Sequence, residues 1–314
     1  MIHCTVPYDV PRFESEDGGF ELWLAGDNQR GSSGYVPEAW EEFRHQFKAS
    51  KRAKAFLGLG DYCDFLRPSL RPLLKGALGK DDSARRMMDK AILKQHDETI
   101  YDMAFLKGYT LGLHEGHHNW TTLDGINLDQ RLSTALDARF MGFAATTRLV
   151  LSAKYSTDIN KTAKNIAKRT HVVTLLTTHG NANGRKVAGA LSWAENNLAN
   201  AFIADIYAFG HGCKSGNSAP FERSEVRRIG AAGLRRTVPR IIAVGGFCRG
   251  WTDGWTSDYV EQAGMSPQPL GWAKISFRLV HRKETALALG CPGRDTKSLE
   301  IDAVNKFFTE QNQD

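Results

Sequence analysis

With 314 residues, 41% of them apolar and 24% charged, the chain has the length and apolar content to bury a sizeable core, which excludes an intrinsically disordered protein. No stretch approaches the roughly 18 to 20 consecutive apolar residues that a bilayer-spanning helix needs, and the opening MIHCTVPYDVPRFESEDGG lacks a basic start followed by an apolar run, so a cytoplasmic protein with no membrane partner is expected. The five cysteines, Cys4, Cys63, Cys213, Cys248 and Cys291, are odd in number and form no CxxC pair, which excludes a disulfide framework, while a formal charge of +6 with a pI near 9.0 leaves a nucleic-acid partner open.

In chain order, short apolar runs end again and again in polar, glycine-rich clusters. FELWLAG runs into DNQRGSSG, AFLGLG into DYCDF, YTLGL into HEGHHNW, VVTLLTT into HGNANG, and IADIYAFG into HGCKSG. Each reads as a buried strand of about five or six residues opening into a loop. Between the first two, Trp40, Phe43 and Phe47 at i, i+3 and i+7, with Pro37 near the start, predict an amphipathic helix. Between the second and third, residues 82–106 read as helix with Met87, Met88, Ala91, Ile92, Ile100 and Met103 on one side. Strand, helix, strand is the order of an α/β sheet, in which binding groups collect beyond the carboxyl ends of the strands.

The later part changes character. Arg223, Arg227, Arg228, Arg235, Arg236 and Arg240 form a basic run that reads as a solvated helix or hairpin face, or as a surface attracting a phosphate backbone. Trp251, Trp255 and Tyr259 are either packing residues or a rim on which a ring stacks. WAKISFRLVH alternates Ala273, Ile275, Phe277 and Leu279 with polar neighbours, the mark of a half-buried antiparallel strand that calls for a second sheet or a mixed edge. Residues 298–310 predict a closing helix with Leu299, Val304, Phe307 and Phe308 inward. No internal repeat or clear linker divides the chain, so one domain is expected.

The loops at the five strand ends carry Asp27, Gln29 and Gly31; Gly60, Asp61 and Asp64; Gly116, His117 and His118; His179 and Gly180; and Gly210, His211 and Cys213. Carboxylates and imidazoles from several strand ends are the ligands that a pair of divalent metals about 3.5 to 4 Å apart requires, and such a pair both activates water and relieves charge on a phosphoryl group. Any one of these motifs occurs by chance in many chains. Five in order, each at a strand end, form a specific pattern.

Across residues 20–215 the series resembles the calcineurin-like metallophosphoesterases, whose pattern is DxH, GDxxD, GNH(D/E), H and GHxH. GFCRGW, YVEQAGMSPQPLGW and the motif spacing resemble a branch common in phages and prokaryotes. The resemblance implies a four-layer α-β-β-α sandwich of two mixed sheets flanked by helices, with the metal site at the strand C-terminal ends. It also implies a single domain over 1–314, in which residues 216–314 complete the second sheet and add a C-terminal helix. Asp61 would bridge two metals, Asp27 would bind the first, and His117, His179 and His211 would complete the second, with Mn, Zn or Fe as the fitting ions. His118 would protonate the leaving oxygen, with Asp64 fixing its tautomer. Arg67 is either a phosphate clamp or a surface arginine.

Three positions depart from the pattern. Gln29 stands where the first motif has histidine, His117 where the third has asparagine, and Cys213 where the last has histidine. The second metal site gains an imidazole, while the first loses two, so the second is expected to be the stronger and the first partly filled or occupied by a different ion. Gln29 and Cys213 either bind that metal or line the site without touching it. An alternative alignment reads Gly112, Leu113, His114 and Glu115 as the third motif, which makes His114 the acid. The expected activity is hydrolysis of a phosphodiester, with nucleic acid as a candidate substrate; a phosphomonoesterase and a catalytically weakened metal-binding module remain as alternatives.

Overall fold

The computed structural model describes residues 2–9, 19–65, 82–156, 166–181, 186–211, 214–219, 223–226, 234–251, 261, 266–267, 269–283 and 295–307. The chain opens with β1 (Ile2–Asp9), β2 (Phe20–Ala25), α1 (Pro37–Ala49), β3 (Ala53–Gly58), α2 (Asp82–Met103) and β4 (Thr110–Leu113). Next come α3 (Leu128–Ala135), β5 (Arg139–Phe140), β6 (Ala144–Ser156), β7 (Ile166–Thr178), α4 (Val187–Ala194) and β8 (Ile206–Phe209). The last strands are β9 (Gly216–Ser218), β10 (Arg223–Val226), β11 (Leu234–Thr237), β12 (Arg240–Ala243), β13 (Gly271–Lys283) and β14 (Asp295–Phe307).

These strands build two mixed six-stranded sheets. One has the order β14-β13-β2-β3-β4-β5 and the other β1-β6-β7-β8-β12-β9, while β10 and β11 pair separately as a hairpin. In the first sheet β2, β3, β4 and β5 run parallel; in the second β7, β8 and β12 do.

Alternation along the strands divides the apolar residues into three slabs. Phe20, Leu22 and Leu24 of β2, Ala55 and Leu57 of β3, and Ala273, Ile275 and Phe277 of β13 face Leu149, Leu175, Ile206 and Ile242 of the other sheet. Their alternate neighbours Trp23, Phe56 and Trp272 turn outward to meet Trp40, Phe43 and Phe47 of α1, together with Met103 and Leu132 of α2 and α3. Tyr207 and Phe209 of β8 turn the other way, onto Ala190 and Ala194 of α4. The result is the four-layer sandwich of two mixed sheets flanked by helices. A period of two has buried both faces of each sheet.

Two expectations are corrected. Residues 295–307 are strand β14, not helix, paired antiparallel with β13 over its whole length, from Gly271↔Phe307 to Lys283↔Asp295. Ile301 and Ala303 pack on the inter-sheet core while Asp302 and Val304 are exposed, so residues 301–304 follow a two-residue period. Residues beyond 216 accordingly supply strands to both sheets and add no C-terminal helix among the described residues. In α2, Met87 is 73% exposed, whereas Ile92 and Met103 are buried as the helical spacing requires.

Candidate metal centre

The parallel strands of both sheets point their carboxyl ends at one place. Asp27 follows β2, Asp61 follows β3, His117 and His118 follow β4, His179 follows β7, and His211 follows β8. Asp27, Gln29, Asp61 and His211 all have positive φ, at 49°, 47°, 55° and 55°. Side chains other than glycine rarely adopt that backbone, and its clustering here is the kind of local strain that surrounding structure must hold in place.

The loops are held by one another. The backbone N–H groups of Asp27 and Gln29 donate to the carbonyls of Gly60 and Asp61, each at 2.9 Å, and that of Phe247 donates to the Asp27 carbonyl at 3.1 Å. The His211 N–H donates to Asp27 Oδ2 at 2.9 Å, and the His118 N–H to Asp61 Oδ1 at 2.7 Å. Gly116 has no room for a side chain, because a Cβ there would lie 2.1 Å from both the backbone nitrogen and Oδ1 of Asp61.

Asp61, His117, His179 and His211 each offer a donor atom, and these four atoms lie within 4.8 Å of one another. The Nδ1 of His179 faces the Leu59 carbonyl at 2.7 Å, which turns Nε2 inward to 3.2 Å from Asp61 Oδ2. That contact is close but poorly aligned, and Nε2 has no hydrogen-bond partner among the described residues. Asp27 Oδ1, fully buried, has none either. A buried carboxylate oxygen and a buried imidazole nitrogen are both electron-pair donors that a cation would satisfy, and three imidazoles with a carboxylate suit Zn, Mn or Fe. The residues present fit a metal.

The charges agree with that reading. Burial pushes the Asp27 carboxyl up to about 7, with Asp61 adding to the rise against the pull of His179. Burial also acts to raise Asp61, but the neighbouring His179 and His118 outweigh it and hold Asp61 below the usual carboxylate range. Burial works against a charged His179, yet Asp61 and Asp27 raise it to about 9. His211 falls to about 4 through burial and the nearby His179 and His117.

Beside the cluster, His118 Nδ1 lies 2.9 Å from Asp64 Oδ1, and both side chains are partly exposed. Gln29 is half-buried on its strained turn, with its backbone tied to Asp61. His114 is not brought to the site. It is buried, its Nδ1 faces the Gly142 carbonyl at 2.9 Å and its Nε2 the Thr177 hydroxyl at 2.8 Å, so the alternative alignment finds no free ring nitrogen. Burial lowers it to about 4. Arg67, Cys213, Trp255, Tyr259, Arg227 and Arg228 lie outside the described residues, while Arg223, Arg235 and Arg236 fall on the β10–β11 hairpin.

Three supporting groups were not foreseen. Asp129, raised by burial to about 7, accepts from the Gly116 N–H at 3.0 Å. Asn119 accepts from the Asp129 N–H at 3.3 Å, and the Phe143 carbonyl from the His179 N–H at 3.2 Å. Asp129 sits in the first turn of α3, where an acid is ordinary, Asn119 acts through its side-chain oxygen and Phe143 through its backbone carbonyl, each on a backbone N–H; no sequence signal marks them.

No family model matches the chain, and no curated protein matches it in sequence. Among solved structures the chain is similar to a metallophosphoesterase from Sphaerobacter thermophilus, at 11% identity and a TM-score of 0.31, over 81% of this chain and 82% of that one. It is also similar to a protein described as a 5′-nucleotidase from Staphylococcus aureus in complex with alpha-ketoglutarate, at 8% identity and a TM-score of 0.36. That match covers 94% of this chain but 56% of the other, so the chain spans a little over half of that protein's length.

Proposed function

We propose that this chain is a metal-dependent phosphoesterase of the calcineurin-like kind that hydrolyses phosphodiester bonds, with nucleic acid or a nucleotide ester as substrate. The observation that carries the reading is the convergence of Asp61, His117, His179 and His211 within 4.8 Å, next to the buried Asp27. One or two divalent ions bound there would acidify water and neutralise charge on the phosphoryl oxygens. Asp61, His117, His179 and His211 would hold the stronger site; Asp27, Gln29 and Cys213 would hold the weaker.

The chain's own residues supply the rest. With its Nδ1–H donating to Asp64, His118 keeps the transferable proton on Nε2, and Asp64 favours the charged ring, so the pair is suited to protonate a leaving oxygen. Arg67 is assigned to a phosphate oxygen. The strained loops preset the donors and remove the need to rearrange them during turnover. We read residues 1–314 as one domain acting in the cytoplasm; none of the described helices is long and apolar enough to cross a membrane.

The test compares a bis-nitrophenyl phosphodiester with nitrophenyl phosphate in the presence of Mn²⁺, Zn²⁺ or Fe²⁺. Diester hydrolysis that a chelator abolishes is expected; hydrolysis of the monoester alone would select a phosphomonoesterase. Metal binding with no hydrolysis of either would make the chain a binding module. His118→Ala should lose at least about a hundredfold in kcat while still binding metal, and Asp61→Ala should lose both.

A further inference from the structure

A cavity of about 490 Å³ opens directly beside His117. Its walls have a chemistry that the phosphoryl reaction does not use. Phe143 is 42% exposed, and its ring centroid is 5.2 Å from that of His117 and 6.0 Å from that of His179. Its backbone is fixed, since its carbonyl accepts both the His179 N–H and the Thr178 hydroxyl. A large aromatic face is therefore held open to solvent at the edge of the centre by the same contacts that place His179. Trp120 also lines the cavity, almost fully buried, with its indole N–H donating to Asp89 at 2.8 Å.

The polar wall is Glu115. Its Oε1 accepts from the side-chain amides of Asn119 at 2.8 Å and Asn127 at 3.2 Å, which leaves Oε2 with no partner among the described residues. A carboxylate oxygen accepts and does not donate. It would repel a further phosphate, while an N–H donor carried on a flat ring would satisfy it. An exposed aromatic face is what stacks against such a ring.

We infer that this cavity is a base-binding subsite, which stacks the nucleobase of a nucleotide ester on Phe143 and accepts its amino N–H at Glu115, so that cytosine or adenine is preferred to uracil. The inference rests on the phosphoesterase reading and names its substrate class. The base lies to the His117 side of the centre, and the scissile phosphorus lies over the donor cluster. Stacking supplies most of the affinity and is tolerant of base identity; the carboxylate supplies the discrimination.

The experiment measures kcat/KM in Mn²⁺ for methyl nitrophenyl phosphate, which has no base, and for the nitrophenyl esters of a cytidine and a uridine nucleotide. The wild type should prefer the cytidine ester to the base-free diester by at least about tenfold. That ratio should fall about tenfold in Phe143→Leu and be retained in Phe143→Tyr. Glu115→Gln should erase the preference for cytidine over uridine. A wild type that gains nothing from a base, or a Phe143→Leu variant whose ratio is unchanged, overturns the subsite while leaving the phosphoesterase reading intact. If the wild type cleaves none of these esters, that reading fails, and calorimetric titration with cytidine monophosphate decides the subsite alone: saturable binding weakened in Phe143→Leu supports it, and no binding overturns it. Cleavage of oligocytidylate beside the ester would assign the subsite to polynucleotides, and cleavage of the ester alone to small nucleotides.

Discussion

Gly116 and His96 show how one residue can govern this molecule from opposite ends of its chemistry. Gly116→Ala must push its methyl into Asp61, so it is expected to weaken Mn²⁺ binding by about 10- to 100-fold, as read by calorimetry, without unfolding the sandwich. His96 is buried, and its Nδ1 lies 2.7 Å from Arg131 Nη1, a contact that requires a neutral ring. Burial and then the Arg131 charge lower it to about 4. The folded value is depressed, so the unfolded chain takes up the proton first as pH falls below about 6.5, and stability is lost between there and about 4. The loss is expected to approach roughly 3 kcal/mol, and denaturant midpoints in His96→Gln should fall less steeply over that window. At this scale the sequence was most informative where a side chain does the work. Asp27, Asp61, Asp64, His117, His118, His179 and His211 were all legible in it and are brought together in one region. Asp129 and the Phe143 carbonyl were not, because they act on backbone N–H groups, and which N–H they meet depends on the fold.

At the scale of elements, α1 and β14 mark the range of what periodicity conveys. Trp40, Phe43 and Phe47 declare one helical face, and the structure buries all three against Trp23, Phe56, Phe247 and Trp272. Phe43 is fully buried and its ring meets seven other aromatic rings, including Phe105, so Phe43→Ala is expected to cost about 3 to 5 kcal/mol in denaturant unfolding. The segment SLEIDAVNKFF reads as a helix from its sequence, since Leu299, Val304, Phe307 and Phe308 fit a helical stripe. Pairing with β13 decided the matter, a contact between residues 12 to 36 apart that local pattern cannot contain. The strand predicts that Val304→Lys, on the exposed face, changes stability by less than about 0.5 kcal/mol, while Ile301→Asp destabilises by several times that. A helix with Val304 inward would reverse the order.

For the molecule as a whole, the centre lies between two sheets. Asp27, Asp61 and His117 belong to one, and His179 and His211 to the other. A cation held by both joins the two halves of the sandwich, so Mn²⁺ at about a hundred times its dissociation constant should stabilise the fold by about 2.7 kcal/mol, visible as a rise in Tm that a chelator reverses. The first sheet could be anticipated from its strand–helix–strand order. The second could not be assembled in advance, because its neighbours β1, β6 and β12 come from distant parts of the chain and none carries a motif.

The poorly aligned pair of His179 and Asp61 has a consequence for how the centre is filled. With its ring raised to about 9, His179 carries a proton near neutrality, and that proton occupies the nitrogen an incoming ion needs. Loading is then an exchange of one positive species for another, favoured as hydroxide rises, and in weakly buffered solution each ion taken up should announce itself as acid released.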